Sequence, residues 1–234
     1  MSFIPTAALS SILQRRFGVE RHAMRGLRAL DPARARFHGP AATIRYLARR
    51  EDLDGQFSPF NAASPFAPAF EQVAPGAVLV IDAQGDDRAG ILGEMLATRL
   101  RARGCAGVVC DGGMRDVTDL AAVGLPIIHR GPAPASSTAT LMLVDFGLPV
   151  TCAGATVMPG DWIVSDEDGV VVCPAAHWEA ASAEVREREA LEAWVRRRLA
   201  AGEPMEGLYP PTEATKAQYA RWVAAGSPLH RLVV

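Results

Sequence analysis

Hydrophobic positions along the chain change their spacing several times, and each change marks an element. Near the N-terminus Ala8, Leu9, Ile12, Leu13 and Phe17 recur at intervals of three and four behind Thr6. That spacing predicts a helix within residues 6–30, with Thr6 as its cap. Gly39 to Leu47 reads as a first strand. Val78-Leu-Val-Ile-Asp82 and Gly107-Val-Val-Cys-Asp111 are short unbroken apolar runs between turn residues, as expected of buried strands. Between them Ile91, Leu92, Met95, Leu96 and Leu100 predict a helix from about Ala89 to Arg103, stopped by Gly104. A short helix ending at Gly124 comes after the second run.

From Leu125 the pattern becomes β-rich, with strands expected over 126–129, 149–152, 162–165 and 169–173. Turns are marked by Pro159-Gly-Asp161 and Asp166-Glu-Asp-Gly169. The second turn starts like a calcium loop but lacks the alternating oxygen ligands and distal glutamate, so a hairpin turn is the better reading. A charged helix is expected over about 175–201, then a break at Pro210-Pro211 and a final helix to about Ala225. Residues 51–75 carry Pro, Ser, Phe and Asn without periodicity and read as a loop or lid. Neither an internal repeat nor a low-complexity tract is present.

Composition narrows the function classes. With 234 residues, 49% of them apolar, the chain has material for a sizeable core and for one large domain with appendages. A net charge of −2 gives no global reason for a nucleic-acid or membrane partner, and no apolar run is long enough to span a bilayer. The N-terminus also lacks a basic-then-apolar signal pattern, so a cytoplasmic protein is expected. The N-terminal fifth is basic, but sparse aromatics and no glycine-rich RNA motif disfavour RNA binding. A solvated helix face, or one meeting acidic patches on a sister subunit, accounts for it better.

Cys105, Cys110, Cys152 and Cys173 show no C-x-x-C spacing and lie in or beside apolar runs, which suits small hydrophobic fillers. The five histidines are scattered, so a His-built zinc site or a Ser/His/Asp triad has little support. Lys216 is the only lysine and sits in a polar segment. An imine-forming enzyme needs a desolvated pocket lysine, so carbonyl chemistry here calls for a metal.

One window concentrates chemistry. A strand ending at Asp111 breaks at Gly112-Gly113 and then presents Arg115 and Asp116 together, with Asp119 three residues on. If Asp116 opens a helix, both carboxylates share one face of its first turn. Carboxylate oxygens suit Mg²⁺ or Mn²⁺, and the arginine can grip an anion. The plainer alternative makes Asp116 an N-cap and Arg115 a surface ion pair.

Several segments together resemble one family: Gly85-Asp86, Gly93-Glu-Met-Leu-Ala-Thr98, Gly107 to Val117, Pro149-Val150, Val157-Met-Pro-Gly-Asp161 and Asp166 to Pro174. Their order and spacing resemble the RraA-like family. It comprises the 4-hydroxy-4-methyl-2-oxoglutarate aldolases, the regulators of ribonuclease E activity, and proteins formerly labelled demethylmenaquinone methyltransferases. A methyltransferase itself is disfavoured, since nothing reads as a strand running into a glycine-rich nucleotide loop.

The resemblance implies an α/β fold, a swivelling β/β/α domain whose shared core is about 35–200, with flanking N- and C-terminal helices. Residues 1–234 would then be a single domain, with the N-terminal helix 6–30 and the tail 203–234 as appendages. It also implies trimers or hexamers with sites at subunit interfaces. The implied activity is metal-dependent retro-aldol cleavage of a 4-hydroxy-2-oxo acid, or decarboxylation of oxaloacetate, through a pyruvate enolate. The implied roles put the backbone of Gly93, Glu94, Met95 and Leu96 on the substrate carboxylate. They put Arg115 on the enolate oxygen and Asp116 on Mg²⁺ or Mn²⁺, with Glu94 and Asp119 around the metal's waters. Glu189 or Glu192 would reach a neighbouring subunit's site. The segment 51–75 looks longer than the family's usual connection, which implies a reshaped pocket, and the tail 207–222 lies beyond the shared core as an arm or lid. Alternatives are a non-catalytic regulator that binds a ribonuclease, and a metal-assisted enzyme acting on sugar-acid 2-oxo intermediates.

Overall fold

The computed structural model describes residues 3–226, which divide into two compact units, residues 5–178 and residues 3–4 with 179–226. The larger unit opens with α1 (Thr6–Phe17), β1 (Ala23–Met24), β2 (Arg28–Ala29) and β3 (Phe37–Ala48). The expected helix over 6–30 therefore ends at Phe17. Gly18 sits next in the left-handed region (φ 65°) with its N–H turned back on the helix carbonyls, so the chain leaves the helical path there. Thr6 is not the cap either. Pro5 holds the N-cap position, and Asp166 accepts from the Thr6 backbone N–H (2.8 Å) and from its hydroxyl (2.6 Å).

Within 51–75 the structure places two short helices, α2 (Asp54–Phe57) and α3 (Phe66–Glu71), where an irregular loop was expected. Next come β4 (Val78–Asp82), β5 (Ala89–Leu92), α4 (Glu94–Ala102), β6 (Gly107–Cys110), β7 (Gly113–Met114) and α5 (Val117–Val123). The expected helix 89–103 is thus two elements. Ala89 to Leu92 are all buried and pair in a sheet, and the apolar spacing that looked helical joined a strand to the helix after it. Met95, counted on the apolar stripe, is 79% exposed.

The β-rich half supplies β8 (Ile127–His129), β9 (Gly131–Pro132), β10 (Ala135–Ser136), β11 (Leu141–Phe146), β12 (Val150–Cys152), β13 (Ala155–Val157), β14 (Trp162–Asp166) and β15 (Gly169–Cys173). Strands β9 to β11 and β13 were not anticipated. The hairpin turn expected at 166–169 joins β14 to β15.

Among the described residues the main sheet has nine strands in the order β1-β15-β14-β3-β4-β6-β8-β2, with β11 also on β3. Its centre is parallel, β3 to β4 to β6 to β8, and explains the unbroken apolar runs. Side chains alternate across a strand. Leu79 and Ile81 join a core with Ala97, Leu100 and Leu120 from α4 and α5. Val78 and Val80 face the opposite way, into a core with Val150, Cys152, Ala155 and Val157 of the β12–β13 hairpin. Helices cover one face and a hairpin the other, the mixed α/β architecture expected. Each of the valines, leucines and isoleucines among them contributes about 1.5–3 kcal/mol through removal from water, and each alanine well under that. All four cysteines lie buried and free, and burial raises their thiol pKa values, so they behave as apolar fillers.

The smaller unit consists mainly of α6 (Trp178–Ala200, whose first residue belongs to the larger unit) and α7 (Glu213–Ala224). Trp194, Val195 and Leu208 form its buried centre, with Tyr219 and Trp222 packed around them. Arg198 lies over the Trp194 ring at 4.6 Å. The tail expected to be an appendage thus has its own small core on α6, and its residues 227–234 lie outside the described residues.

Candidate active site

A second, four-stranded parallel sheet, β10-β5-β7-β9, builds the site. In it Gly90 pairs with Gly113 and Leu92 with Met114. The pairing is parallel with a bulge at Ile91, so both strands still end at the same edge and the segments leaving β5 and β7 emerge side by side. Gly93 and the first turn of α4 leave β5, while Arg115, Asp116 and α5 leave β7. The Arg115 backbone N–H donates to Leu92 O at 3.1 Å and ties the two exits together.

Glycine is required at this junction by space. A Cβ at Gly90 would stand 2.7 Å from Arg115 Cβ, and one at Gly93 would stand 2.7 Å from Asp116 Oδ2. Gly93 is also the N-cap of α4 and offers no side chain to it, so the backbone N–H groups of Glu94, Met95 and Leu96 keep no capping partner. They open on a cleft of about 240 Å³ that Gly90, Gly93, Arg115, Asp116 and Ser137 also line.

Asp116 adopts a left-handed conformation (φ 53°, ψ 41°), which aspartate tolerates through its short polar side chain. It occupies the N-cap position of α5, yet its carboxylate makes no capping hydrogen bond. Instead Oδ2 accepts from Arg115 Nε at 3.1 Å, and both side chains stay about two-fifths exposed. The plainer alternative is therefore half met: the ion pair exists, but between these two residues, and the carboxylate turns toward the cleft rather than the helix. The Arg115 terminal nitrogens make no hydrogen bond among the described residues.

Of the residues singled out in the sequence, Gly93, Glu94, Met95, Leu96, Arg115 and Asp116 line this one cleft. Asp119 is exposed on the first turn of α5 and is not among the lining residues. Glu189 belongs to the smaller unit. Burial and the neighbouring Glu192 raise its carboxyl pKa, whereas Glu192 is itself held by Arg188 Nε at 2.7 Å. Gly90, Pro59, Phe66, Ser136 and Ser137 also line the cleft and were not picked out in the sequence. Only the pairing of β5 with β7 gives Gly90 its role, and nothing local marks Ser136-Ser137.

Among the described residues no cluster of three or more His, Cys, Asp or Glu side chains is placed to hold a metal. A hard cation such as Mg²⁺ characteristically uses only one or two protein carboxylates and fills its other positions with water and substrate oxygens. Asp116 in the cleft, with Glu94 beside it, fits that donor set.

The RraA-like profile, described as Aldolase/RraA, matches residues 6–172. A protein of Halalkalibacterium halodurans is 36% identical over 122 residues, 52% of this chain and 58% of its own length. One from Alkalilimnicola ehrlichii is 34% identical over 152 residues, 62% of this chain and 86% of its own length. Both carry the provisional name 4-hydroxy-4-methyl-2-oxoglutarate aldolase. The crystal structure of Streptomyces coelicolor RraAS2, described as an unusual member of the RNase ES inhibitor RraA protein family, superposes with a TM-score of 0.74 at 30% identity. That match covers 82% of this chain and 91% of RraAS2. Among the described residues no helix is long and apolar enough to cross a membrane.

Proposed function

The chain belongs to the RraA-like family, and from that premise we propose that it is a divalent-metal-dependent lyase cleaving a 2-oxo acid. The observation that carries the reading is the meeting of three chemistries in one cleft: free amides at a helix N-terminus, the Arg115 guanidinium and the Asp116 carboxylate.

The amides of Glu94, Met95 and Leu96, at the positive end of α4, receive the substrate's carboxylate. Arg115 then faces the 2-oxo group, where negative charge grows as the C3–C4 bond breaks. Asp116 holds Mg²⁺ or Mn²⁺, which when bound supplies electrophilic polarisation of the 2-oxo group. Glu94, which lines the cleft, would steady that donor set through water, and Asp119, outside the lining on the first turn of α5, would act only from farther out. In a retro-aldol step the C4 hydroxyl gives its proton to a base, and the C3–C4 electron pair moves into a pyruvate enolate. C3 then takes up a proton, and a carbonyl product leaves. With oxaloacetate, carbon dioxide leaves instead and the same enolate forms. Glu189, whose carboxyl pKa is raised by burial and by Glu192 against the pull of Arg196 and Arg188, suits the proton-transferring role. It would act in a neighbouring subunit of a trimer or hexamer, which light scattering measures.

The test is pyruvate release from oxaloacetate and from 4-hydroxy-4-methyl-2-oxoglutarate, with Mg²⁺, with EDTA and with Asp116→Ala. Turnover that needs the ion and disappears in the variant supports the reading. No turnover above that of the ion alone overturns it for these substrates. It would favour a regulator that binds a ribonuclease, the reading suggested by the similarity to RraAS2. Turnover confined to polyhydroxy 2-oxo acids would point to sugar-acid chemistry.

A further inference from the structure

A second cavity, of about 410 Å³, adjoins the cleft, and Pro59, Phe66 and Ser137 line both. It lies against the segment that carries α2 and is walled by Phe57, Phe66, Leu141, Met142 and Leu143. Among its lining residues the one cation is Arg49, and that charge is already taken. Arg49 Nε donates to Asp54 Oδ1 at 3.0 Å, and a terminal nitrogen reaches Oδ2, in a two-pronged pair at the cavity's edge.

We propose, on the lyase reading above, that this cavity receives the distal half of the 2-oxo acid, and that this half is a neutral aromatic or branched apolar group. A second carboxylate entering here would shed water and find no free cation, a costly exchange. An aryl group instead meets aromatic rings and aliphatic side chains, and the size of the cavity suits such a group. With Pro59, Phe66 and Ser137 in the walls of both compartments, the two lie side by side, and one extended acid would set its carboxylate at the α4 N-terminus and its distal group under the aromatic segment.

The test uses the Mn²⁺-loaded protein and two readouts. Calorimetry compares 4-phenyl-2-oxobutanoate with 2-oxoglutarate as ligands. Pyruvate release compares 4-hydroxy-2-oxo-4-phenylbutanoate, which yields benzaldehyde as its other product, with oxaloacetate. The aryl ligand is expected to bind about tenfold tighter than 2-oxoglutarate. Thr138→Trp, at an exposed lining position, fills the cavity, and Phe57→Ala strips an aromatic wall. Each is expected to erase that preference while oxaloacetate turnover stays within about twofold. Oxaloacetate cleavage with no aryl preference, or a preference indifferent to both variants, overturns the inference and leaves the lyase reading standing. An aryl preference that the variants abolish, with no turnover of any acid, upholds the cavity's assignment and overturns the lyase. Absence of both binding and turnover overturns both.

Discussion

Gly93 stands so close to Asp116 that a Cβ on it would fall 2.7 Å from Oδ2, and 3.1 Å from Arg115 Cγ. Its backbone (φ −123°, ψ −173°) is open to any residue, so the restriction is space alone. Gly93→Ala is therefore expected to fold, at a cost of about 1 kcal/mol for alanine at an N-cap, while forcing the carboxylate aside. The melting temperature should change little. Mn²⁺ affinity and metal-dependent pyruvate release should fall by about a hundredfold. Wild-type values for both would remove Asp116 from the site.

Arg115 and Asp116 can be separated by what each substitution leaves behind. Asparagine tolerates the left-handed backbone at 116 and can still accept from Arg115, so Asp116→Asn should keep the fold and lose the ion. Arg115→Lys keeps a positive charge but not the planar fork, and should lower kcat by about a hundredfold or more with Mn²⁺ affinity nearly intact. Equal loss of Mn²⁺ binding in both variants would contradict this division.

The parallel centre of the sheet was legible because strands buried on both faces leave unbroken apolar runs, as at 78–82 and 107–111. Arg115-Asp116 was legible because paired charges after a double glycine are conspicuous. Strand β5 was not: four residues, Ala89 to Leu92, run straight into a helix through Gly93, and together they mimic helical spacing. The two-residue strands β7 and β9 owe their existence to pairing across the small sheet, which no local pattern records. Asp166 looked like a turn residue, and its service to Thr6 160 positions away is a tertiary fact.

Asp111 knits the strand ends beneath the site. Buried, it accepts from Ala83 N–H at 2.6 Å and from Ala153 N–H at 3.1 Å. Asp111→Ala would strand both donors in the interior, for about 3 kcal/mol of lost stability. Asp111→Asn keeps one acceptor and should cost clearly less. Urea denaturation midpoints distinguish them, and equal midpoints for Asp111→Ala and the wild type would refute the role.

Acid sensitivity is expected from Asp86, whose carboxyl is held down to about 2 mainly by the Arg88 side chain, with Nε at 2.9 Å. Its folded pKa lies below its unfolded one, so in acid the unfolded chain binds more protons. The stabilisation is therefore full above about pH 4 and is lost as pH falls toward about 2. Arg88 is largely exposed, which limits the effect to about 1 kcal/mol. Wild type should be more stable than Asp86→Asn near pH 5, and the gap should shrink steadily as pH falls through about 2, as measured by thermal melts. A difference that grows in acid would reverse the assignment.

If the Arg49–Asp54 pair is what leaves the aromatic cavity without a usable charge, then releasing the arginine should change which acids fit. Asp54→Asn removes the bonded counter-charge yet keeps an acceptor for the same guanidinium, so Arg49 stays at the cavity's edge with only the more distant Glu51 to offset it. A dicarboxylate would then find a cation where the wild type offers a neutral pair. The expected result is 2-oxoglutarate binding strengthened by about tenfold and 4-phenyl-2-oxobutanoate changed far less, since a phenyl group gains nothing from a freed charge. Higher salt should shrink the gain, because the pair is partly exposed. Equal strengthening of both ligands would mean that the substitution acts on the shared carboxylate end. The selectivity would then have to come from the walls of the cavity rather than from its neutralised arginine.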